Sequence, residues 1–370
     1  MKIGLDARFY GPKQKGLGRY LQKLIENLEK VDSKNQYVIF LRRDNWHEYR
    51  PDNPNFRKVL ADCRWYTFKE QILMPLKIRR AKVDLMHFPH FNVPLFYRGP
   101  FVVTIHDLVL KKFPTRRASA LGPIRYWLKN LAYRLVIRLA VKKSKKIIAV
   151  SHYTKKDILR YFRISPEKIE VVYEGAPDTF WTNRKQLNKN KPYLLYVGNA
   201  YPHKNLERLI LAFQKLTQEE KSDLRLILVG QLDYFYQRLQ NQFGELPGLI
   251  FTDFVSDEEL SLIYRRAALY IFPSLGEGFG LPPLEAMAYG LPVVSSKAAC
   301  LPEILGRAAV YFNPEDIEEM SEKIKLVLKN KSLQQKLISQ GFEKIKEYSW
   351  PKMAQETLAI YQNCFLERFL

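Results

Sequence analysis

The sequence has few cysteines and no long apolar segment. Its 370 residues include three cysteines, Cys63, Cys300 and Cys364, which are too few and too scattered to predict a disulfide framework or a metal cluster. No run of 18 or more apolar residues occurs, so no membrane-spanning helix is predicted. The amino terminus reads directly as a strand, without the apolar core of a signal peptide. These absences favour a protein of the reducing cytosol.

Acidic residues are scarce in the first half of the chain. Residues 1–185 hold 39 Lys and Arg against 16 Asp and Glu, whereas residues 186–370 hold 21 against 22. Residues 101–150 contain one acidic residue beside 12 basic ones. This asymmetry predicts that the first half faces an anionic partner. A basic surface that only aids solubility is the alternative.

Two common signatures of nucleotide and metal sites are also missing. The glycines in residues 16–18 and 276–280 do not fit the Gly-x-Gly-x-x-Gly spacing, which counts against a nicotinamide enzyme. No Asp-x-Asp pair occurs, and His87 and His90 have no evident third ligand. A metal-bound nucleotide sugar is therefore not predicted.

Short apolar runs alternate with amphipathic helical patterns along the whole chain. The candidate strands of the first half are "KIGLDA", "YVIFL", "VDLMHF", "FVVTIH", "KIIAVS" and "IEVVYEG". Those of the second half are "YLLYVGN", "LRLILVG", "LIFTDFV", "LYIFPS", "PVVSS" and "AVYFN". The alternation predicts an α/β protein with parallel sheets covered on both faces, and the two series predict two Rossmann-like, doubly wound domains.

The domain boundaries follow from where the second series begins. We predict a strongly basic domain at residues 1–185 and a second domain at 186–350, joined by a polar segment within 177–193. Residues 351–370 are predicted to form a closing helix that can pack back on the N-terminal domain.

The most informative stretch is "GEGFGLPPLEAMAYGLPVV", residues 276–294. Glu277 lies in a glycine-rich loop, and Pro282 and Pro283 suit the first turn of a helix, which places Glu285 near its third position. Amides at a helix start suit phosphate or sugar hydroxyls, and two carboxylates favour a ligand rich in hydroxyls. The alternative, that Glu285 only complements the helix dipole, leaves Glu277 unexplained.

Three further loops follow predicted strands, at the edge where parallel sheets bind ligands. In "YVGNAYPHKN", residues 196–205, Lys204 stands before a helix and suits a pyrophosphate. Gly16 precedes a helix predicted to run on from Arg19, in a loop that resembles a phosphate-binding one. His106 ends the strand "VVTIH", and its place among these loops favours a ligand role over a structural one.

A basic and aromatic surface is predicted between residues 123 and 146. The residues predicted to face the core recur at helical spacing: Leu128, Leu131, Leu135 and Leu139. The residues of the other face and its surroundings are Trp127, Arg134, Arg138, Lys142, Lys143, Lys145 and Lys146. Such a surface suits the headgroups of an anionic membrane. A nucleic acid is the rival partner, although no recognisable nucleic-acid module appears.

With these residues in view, the chain resembles the retaining glycosyltransferases with two Rossmann-like domains facing a cleft, the GT-B architecture. The resemblance runs from "GLDAR" and "GLGRY" through "HDL", "AVSHYTKKDI", "KIEVVYEGA" and "YVGN…HKN" to "YSWPKMAQETL". Its most specific element is the Glu-x7-Glu stretch around "GFGLPPLEAMA". The chain is most similar to the bacterial mannosyltransferases of cell-surface polysaccharide synthesis. The resemblance implies that the N-terminal domain binds the acceptor and the C-terminal domain binds the nucleotide sugar.

The resemblance also implies a role for each matching residue. Glu277 would face the donor sugar, Glu285 would bind the ribose hydroxyls, and Lys204 would neutralise the departing diphosphate. The implied donor-binding set is Gly16, Asn199, His203, Lys204, Glu277, Phe279, Gly280, Leu281 and Glu285, with Phe279, Gly280 and Leu281 acting through backbone amides. The implied catalytic set is Glu277, Lys204 and His106. Many relatives carry an arginine where this chain has Asn199 and Ala200, and Arg8 and His203 are the candidates to share its charge.

The implied reaction moves a hexose from a nucleotide diphosphate sugar to a glycan or lipid-linked acceptor, with retention and without a metal or other cofactor. Mannose from GDP-mannose is the pair that the resemblance favours. We expect a cytoplasmic protein, peripheral on the inner face of the membrane, with no nucleic-acid partner. The alternatives are a basic nucleic-acid-binding protein and a sugar-nucleotide epimerase or phosphorylase of the same architecture.

Overall fold

The computed structural model describes residues 1–11, 14–113, 123–177 and 192–367, without the side chains of residues 15 and 123–126. Contacts divide the chain into two units. The first is built from Met1–Lys111, Leu121–Gly175 and Ser349–Leu370, and the second around Ala176–Tyr348. Most of the predicted join lies outside the described residues.

Strands and helices alternate in both units. The strands are β1 (Lys2–Asp6), β2 (Gln36–Leu41), β3 (Phe56–Leu60), β4 (Leu85–Phe88), β5 (Phe101–Ile105), β6 (Lys146–Ala149), β7 (Ile169–Val171), β8 (Tyr193–Val197), β9 (Arg225–Val229), β10 (Leu249–Thr252), β11 (Leu269–Phe272), β12 (Val293–Ser296) and β13 (Ala309–Phe312). The helices are α1 (Lys15–Val31), α2 (Phe68–Ala81), α3 (Val109–Lys112), α4 (Pro123–Lys143), α5 (His152–Tyr161), α6 (Leu206–Glu220), α7 (Tyr234–Phe243), α8 (Asp257–Arg266), α9 (Leu281–Ala288), α10 (Leu301–Leu305), α11 (Ile317–Lys329), α12 (Lys331–Ile345) and α13 (Trp350–Leu366).

The described residues of each unit form one parallel sheet. The strand order is β3-β2-β1-β4-β5-β6-β7 in the first unit and β10-β9-β8-β11-β12-β13 in the second. In each sheet the first strand of the unit lies in the interior, and the chain runs outward from it first to one side and then to the other. This is the doubly wound order of Rossmann-like folds, so the predicted fold class is confirmed. Among the strands that the structure describes, β3 alone is absent from the predicted set, and it lies at a sheet edge.

The C-terminal helix α13 belongs to the first unit and packs against α1. A buried polar chain ties it to the sheet: the Tyr361 hydroxyl lies 2.6 Å from Nδ1 of His87 on β4, and His87 Nε2 lies 2.8 Å from Oγ1 of Thr104 on β5. Burial lowers the pKa of His87 to about 3, so its ring is neutral near pH 7. His87 therefore has a structural role in joining the closing helix to the sheet.

Helix α4 presents a different face to the core from the predicted one. Its buried residues are Ile137, Ala140 and Val141. The predicted core residues Leu128, Leu131 and Leu135 are instead 53%, 52% and 50% exposed, and Leu139 is half-buried. Apolar residues occur on both faces of this helix, so their period identifies a helix without deciding which face is covered.

The loops that follow strands at the carboxyl edge of each sheet position the candidate site residues. In the second unit the chain leaves β8 toward β9 on one side, while β11 pairs with β8 on the other. The carboxyl ends of β8 and β11 therefore border the crevice at which such sheets bind ligands. Among the described residues, no helix combines the length and the apolar character needed to cross a bilayer.

Candidate active site

Two loops of the second unit meet at the point where the strand order reverses. The β8 loop (residues 198–205) and the β11 loop (residues 273–280) follow adjacent parallel strands. The carbonyl of His203 accepts hydrogen bonds from the Leu275 amide (2.7 Å) and the Ser274 hydroxyl (3.2 Å). These bonds hold one loop against the other.

Asn205 fixes the base of the β8 loop. It is buried, has a left-handed backbone (φ 63°) and immediately precedes α6. Its side-chain amide donates to the carbonyl oxygens of Pro273 (3.1 Å) and Pro314 (2.7 Å). Because Lys204 is its neighbour, these bonds limit where the lysine side chain can begin. Sequence reasoning did not identify this role of Asn205, because the two carbonyl groups that its amide binds are distant from it in sequence.

The two loops bring Lys204 and Glu277 into contact. Lys204 Nζ lies 2.6 Å from Glu277 Oε1, and the two side chains are 14% and 13% exposed. The ammonium also lies over the ring of Phe272, 5.5 Å from its centroid. A cation and a carboxylate, each with a small exposed fraction, therefore stand side by side at the carboxyl edge of the sheet.

The helix that carries Glu285 begins after a left-handed glycine. Gly280 has φ 93°, and a Cβ atom there would lie 3.0 Å from Leu301 Cδ2, so a larger residue would meet strain and crowding. Because α9 begins at Leu281, Glu285 is its fifth residue and not its third. Oε2 of Glu285 accepts a hydrogen bond from the Tyr264 hydroxyl at 3.3 Å. Sequence reasoning did not predict this contact.

The remaining predicted donor-binding residues of this unit have protein partners. Asn199 Oδ1 accepts from the Tyr201 amide at 3.3 Å. The His203 ring tilts against Tyr201, with 6.0 Å between ring centroids. The Phe279 side chain is buried against Tyr348. The predicted donor-binding roles of Asn199, His203 and the backbone at 279–281 stay predictions.

His106 lies in the first unit with both ring nitrogens beside acceptors. Nδ1 is 3.0 Å from Glu174 Oε1, and Nε2 is 3.0 Å from the carbonyl oxygen of Pro89. Both nitrogens can donate only when the ring is an imidazolium. Burial lowers the pKa of His106, but the hydrogen bond and charge of Glu174 raise it, and the net change is upward. A side-chain contact with a sugar would require one of these bonds to break, so the predicted catalytic role has no ring nitrogen available in this arrangement.

Arg8 and Gly16 also differ from expectation. The Arg8 side chain is fully buried, with its guanidinium 2.7 Å from Asp6 and 2.6 Å from Glu70. The prediction that Arg8 shares the charge of the diphosphate is therefore wrong, because two carboxylates already hold it in the interior. Gly16 lies in the first turn of α1, which begins at Lys15, so the helix starts earlier than predicted. Gly16 is exposed, and a Cβ atom there would meet nothing within 4 Å.

The predicted basic surface is largely exposed. Trp127 is 62% exposed, and the exposed basic residues are Arg134, Arg138, Lys142, Lys143 and Lys145. Lys145 and Lys146 lie beyond the end of α4, so Lys145 does not share the helix face as predicted. Lys146 is half-buried and bonds to Glu170 Oε1 (3.0 Å) and to the Glu167 carbonyl (2.7 Å). Lys146 therefore does not belong to the predicted basic surface. In the part of the chain that the structure describes, no group of three or more His, Cys, Asp or Glu could hold a metal ion.

We predict that Glu174→Gln lowers the pKa of His106. The pKa of His106 in the folded protein is raised above 6.5. The protonated ring therefore stabilises the fold below pH 6.5, and this stabilisation is lost as the pH rises through the pKa of the folded state. Replacing the carboxylate by an amide removes the charge that favours the imidazolium, and the variant should lose this stability under acidic conditions. An NMR titration of the histidine resonances and urea unfolding at several pH values measure both effects. Glu170→Gln is the control, and an unchanged His106 titration in Glu174→Gln would contradict the assignment.

Two family models match successive parts of the chain. Residues 15–180 match the glycosyltransferase Family 4 model, and residues 178–344 match the model described as glycosyl transferases group 1. The first match falls almost wholly in the first unit and the second in the second unit. Together they span most of the chain.

Similar proteins agree with these matches. The O-antigen chain mannosyltransferase RfbU of Salmonella typhimurium is 28% identical over 264 residues, covering 70% of this chain and 69% of RfbU. O-antigen chain mannosyltransferase B of Escherichia coli is 29% identical over 299 residues, covering 77% and 76%. Among solved structures, HepE of Anabaena in complex with UDP-glucose has a TM-score of 0.71 at 17% identity, covering 98% of this chain and 99% of HepE. Because both matching models are glycosyltransferase models, the chain belongs to the glycosyltransferases of GT-B fold, and it is similar to bacterial O-antigen mannosyltransferases.

Proposed function

We propose that the protein transfers mannose from GDP-mannose to a glycan or lipid-linked acceptor in cell-surface polysaccharide synthesis, with retention of the anomeric configuration. The contact between Lys204 and Glu277 is the observation that carries this proposal. The names of the O-antigen relatives support the choice of mannose and of the pathway. The UDP-glucose bound to HepE shows that the fold accepts a nucleotide sugar in that protein.

The adjacency of Lys204 and Glu277 matches the chemistry of a nucleotide sugar. In such a donor the anomeric carbon is bonded directly to a phosphate oxygen, so groups that bind the phosphate and the sugar must also be neighbours. A lysine supplies a point charge for the phosphate, and a carboxylate accepts hydrogen bonds from sugar hydroxyls. Lys204 Nζ and Glu277 Oε1 are 2.6 Å apart and come from separate loops, so they can serve these two parts of one ligand.

Glu285 is assigned to the ribose hydroxyls of the nucleotide. It projects from the fifth position of α9, eight residues after Glu277, and the Tyr264 hydroxyl bonds to its Oε2. Tyr264 is buried and stacks on Tyr289 at 5.0 Å between centroids, which holds its hydroxyl in place. One carboxylate oxygen is thus oriented by the protein, and a carboxylate is a group that can accept hydrogen bonds from both hydroxyls of a ribose diol.

The transition state should develop positive charge on the sugar and negative charge on the departing diphosphate. Lys204 is the group placed to stabilise the diphosphate charge. Removing one preorganised donor of this kind costs about 3–4 kcal/mol of transition-state stabilisation, or about 10²–10³ in rate. Glu277 is assigned to sugar hydroxyls and not to a covalent intermediate of the kind retaining hydrolases form. A glycosyl group trapped on Glu277 would overturn this assignment.

We predict that Lys204→Ala lowers kcat about 10²–10³-fold while the protein stays folded. Transfer of radiolabelled mannose to acceptor-containing membranes measures turnover, and thermal unfolding measures stability. Lys215→Ala is the matched control, because it removes a lysine of α6 in the same unit whose ion pairs are with Glu219 and Glu318 and not with the candidate site. Near-normal turnover in Lys204→Ala would contradict the role. Product formation without acceptor would instead indicate an epimerase, and a requirement for inorganic phosphate would indicate a phosphorylase.

We predict that GDP stabilises the protein against heat more than UDP or ADP does. A ligand at 100 times its Kd adds about 2.7 kcal/mol to the unfolding free energy, because it binds the folded state alone. The measurement is the shift in Tm across a panel of nucleoside diphosphates, with Glu285→Gln as the comparison variant. Stronger stabilisation by UDP or ADP would contradict the choice of base while leaving the reaction class in place.

The exposed faces of α4 and α2 support peripheral docking of the first unit on an anionic membrane. On α4, the exposed Trp127, Leu131 and Leu135 share one face with the exposed Arg138. On α2, exposed apolar residues recur every four positions: Phe68 (93%), Ile72 (59%) and Leu76 (45%). The apolar side chains suit the acyl boundary, and each basic residue near it contributes about 1 kcal/mol. Docking through these two helix faces would place the enzyme at the cytoplasmic leaflet, where a lipid-linked acceptor would lie.

We predict that Leu131→Glu combined with Leu135→Glu weakens binding to phosphatidylglycerol-containing vesicles about tenfold or more. Each change removes apolar area and adds a charge that the anionic surface repels. Co-flotation with vesicles at low and high salt measures the binding, with phosphatidylcholine vesicles for comparison. Leu326→Glu is the matched control, because Leu326 is 46% exposed on α11 of the second unit. Binding that is absent in the unmodified protein, or equal in the double variant, would count against membrane docking.

A further inference from the structure

Three tyrosine hydroxyls donate to three consecutive backbone carbonyls where β8 ends. Tyr270 donates to Val197 (3.3 Å), Tyr236 donates to Gly198 (2.9 Å), and Tyr196 donates to Asn199 (2.8 Å). All three tyrosines are fully buried and come from three elements: β11, α7 and β8. We call them the tyrosine triad.

The triad lies directly behind the charged groups of the candidate site. Tyr196 and Tyr270 flank Phe272, each with its ring centroid 6.3 Å from that of Phe272, and the Lys204 ammonium lies over the same ring. Burial raises the pKa of all three phenols above its usual value, and the Glu277 carboxylate adds to that rise at Tyr196 and Tyr270. The phenols therefore stay protonated and act as donors to the loop carbonyls.

The triad also determines where the loop amides point. In a trans peptide the C=O and the following N–H point in opposite directions. The carbonyls of Gly198 and Asn199 point at Tyr236 and Tyr196, so the N–H groups of Asn199 and Ala200 point away from them. The structure records no acceptor for either N–H in the part of the chain that it describes. By contrast, the preceding amide, of Gly198, donates to the Val229 carbonyl at 2.9 Å.

We propose that Tyr196 and Tyr236 are positioning residues that hold the β8 loop so that the N–H groups of Asn199 and Ala200 donate to the diphosphate of the donor. The proposal rests on the proposed function and deepens it. Successive N–H groups facing one way form a concave donor site for an anion. Here the two N–H groups supply donors in the same loop as Lys204, which supplies the charge.

The first test separates binding of the diphosphate from binding of the nucleoside. Tyr196→Phe and Tyr236→Phe each leave a loop carbonyl without its donor, and we expect the Kd for GDP to rise about 5- to 10-fold in each. The Kd for guanosine should not change. The control is Tyr193→Phe, which removes a 2.6 Å hydroxyl bond to the Ile263 carbonyl at the opposite end of β8. Titration calorimetry for GDP and NMR titration for guanosine measure the two constants on the full chain.

The second test observes the two amides themselves and does not depend on the stability of a variant. Gly198–Asn199 is the one Gly-Asn step in the sequence, and Asn199–Ala200 is the one Asn-Ala step. Pairing carbonyl-¹³C glycine with ¹⁵N asparagine, or carbonyl-¹³C asparagine with ¹⁵N alanine, therefore selects each amide alone in an HNCO spectrum. We expect GDP to move both amide proton resonances downfield and guanosine to leave them in place.

The outcomes are distinguishable. The role of the triad would be overturned if the two amide resonances did not move when GDP binds. It would also be overturned if the Tyr196→Phe and Tyr236→Phe variants lost GDP and guanosine affinity equally. In both cases the proposed function would stand. A GDP affinity that Tyr193→Phe lowers as much as Tyr236→Phe would overturn the role of the triad as well. If the unmodified protein binds neither GDP, UDP nor ADP, the proposed function fails, and this inference fails with it.

Discussion

The contact between Lys204 and Glu277 depends on a single topological constraint, the adjacency of β8 and β11. These two strands are far apart in sequence but are parallel neighbours in the sheet, so their carboxyl ends open side by side. Asn205 and the His203 carbonyl then bind the β11 loop, and the lysine and the glutamate meet. Without the reversal of strand order, the β8 loop and the β11 loop would not be neighbours, and Lys204 would not meet Glu277. The glycosyltransferase chemistry proposed here therefore follows from the winding of the sheet.

Burial distinguishes the charged groups that can meet a ligand from those that serve the fold. Arg8 is held between Asp6 and Glu70 with no exposed side-chain area, and releasing it would leave two buried carboxylates without the cation that they share. Breaking a buried pair in this way typically costs about 3–5 kcal/mol. Lys204 and Glu277 keep 14% and 13% of their side-chain area exposed, so a phosphate can replace the carboxylate and a hydroxyl can replace the ammonium without a bare charge in the interior. His106 is different, because its side chain is 20% exposed and burial does not separate it from Lys204. Its limit is that both ring nitrogens already lie beside acceptors, Glu174 and the Pro89 carbonyl.

Much of the fold could be predicted from the sequence, because parallel strands in a covered sheet are nearly continuous apolar runs. β4, β5, β11 and β12 contain only buried residues, and their sequences identify them. β3 was missed because it is an edge strand whose Arg57 and Lys58 interrupt the apolar pattern. For α4, the apolar spacing correctly predicted a helix, but the predicted buried face was wrong, because leucines occupy the side of the helix that the core does not cover. The position of Glu277 in a glycine-rich loop could be predicted from the sequence. The contacts of Glu174, Tyr264 and Asn205 could not, because each of these residues bonds to a partner that is distant in sequence.

The tyrosine triad shows how a chain can change the chemistry of a loop without placing a charge in it. An arginine in the β8 loop would supply donors through a long side chain that must be ordered when a ligand binds, at a cost in rotamer entropy. Backbone N–H groups have no such freedom, but they point in a useful direction only if the carbonyls of the same peptides are bound on the other side. Tyr196 and Tyr236 bind those carbonyls from the interior, where each phenol is fully buried and stays protonated. The polar groups of the triad are thus satisfied within the core, and the loop keeps its donors for the exterior.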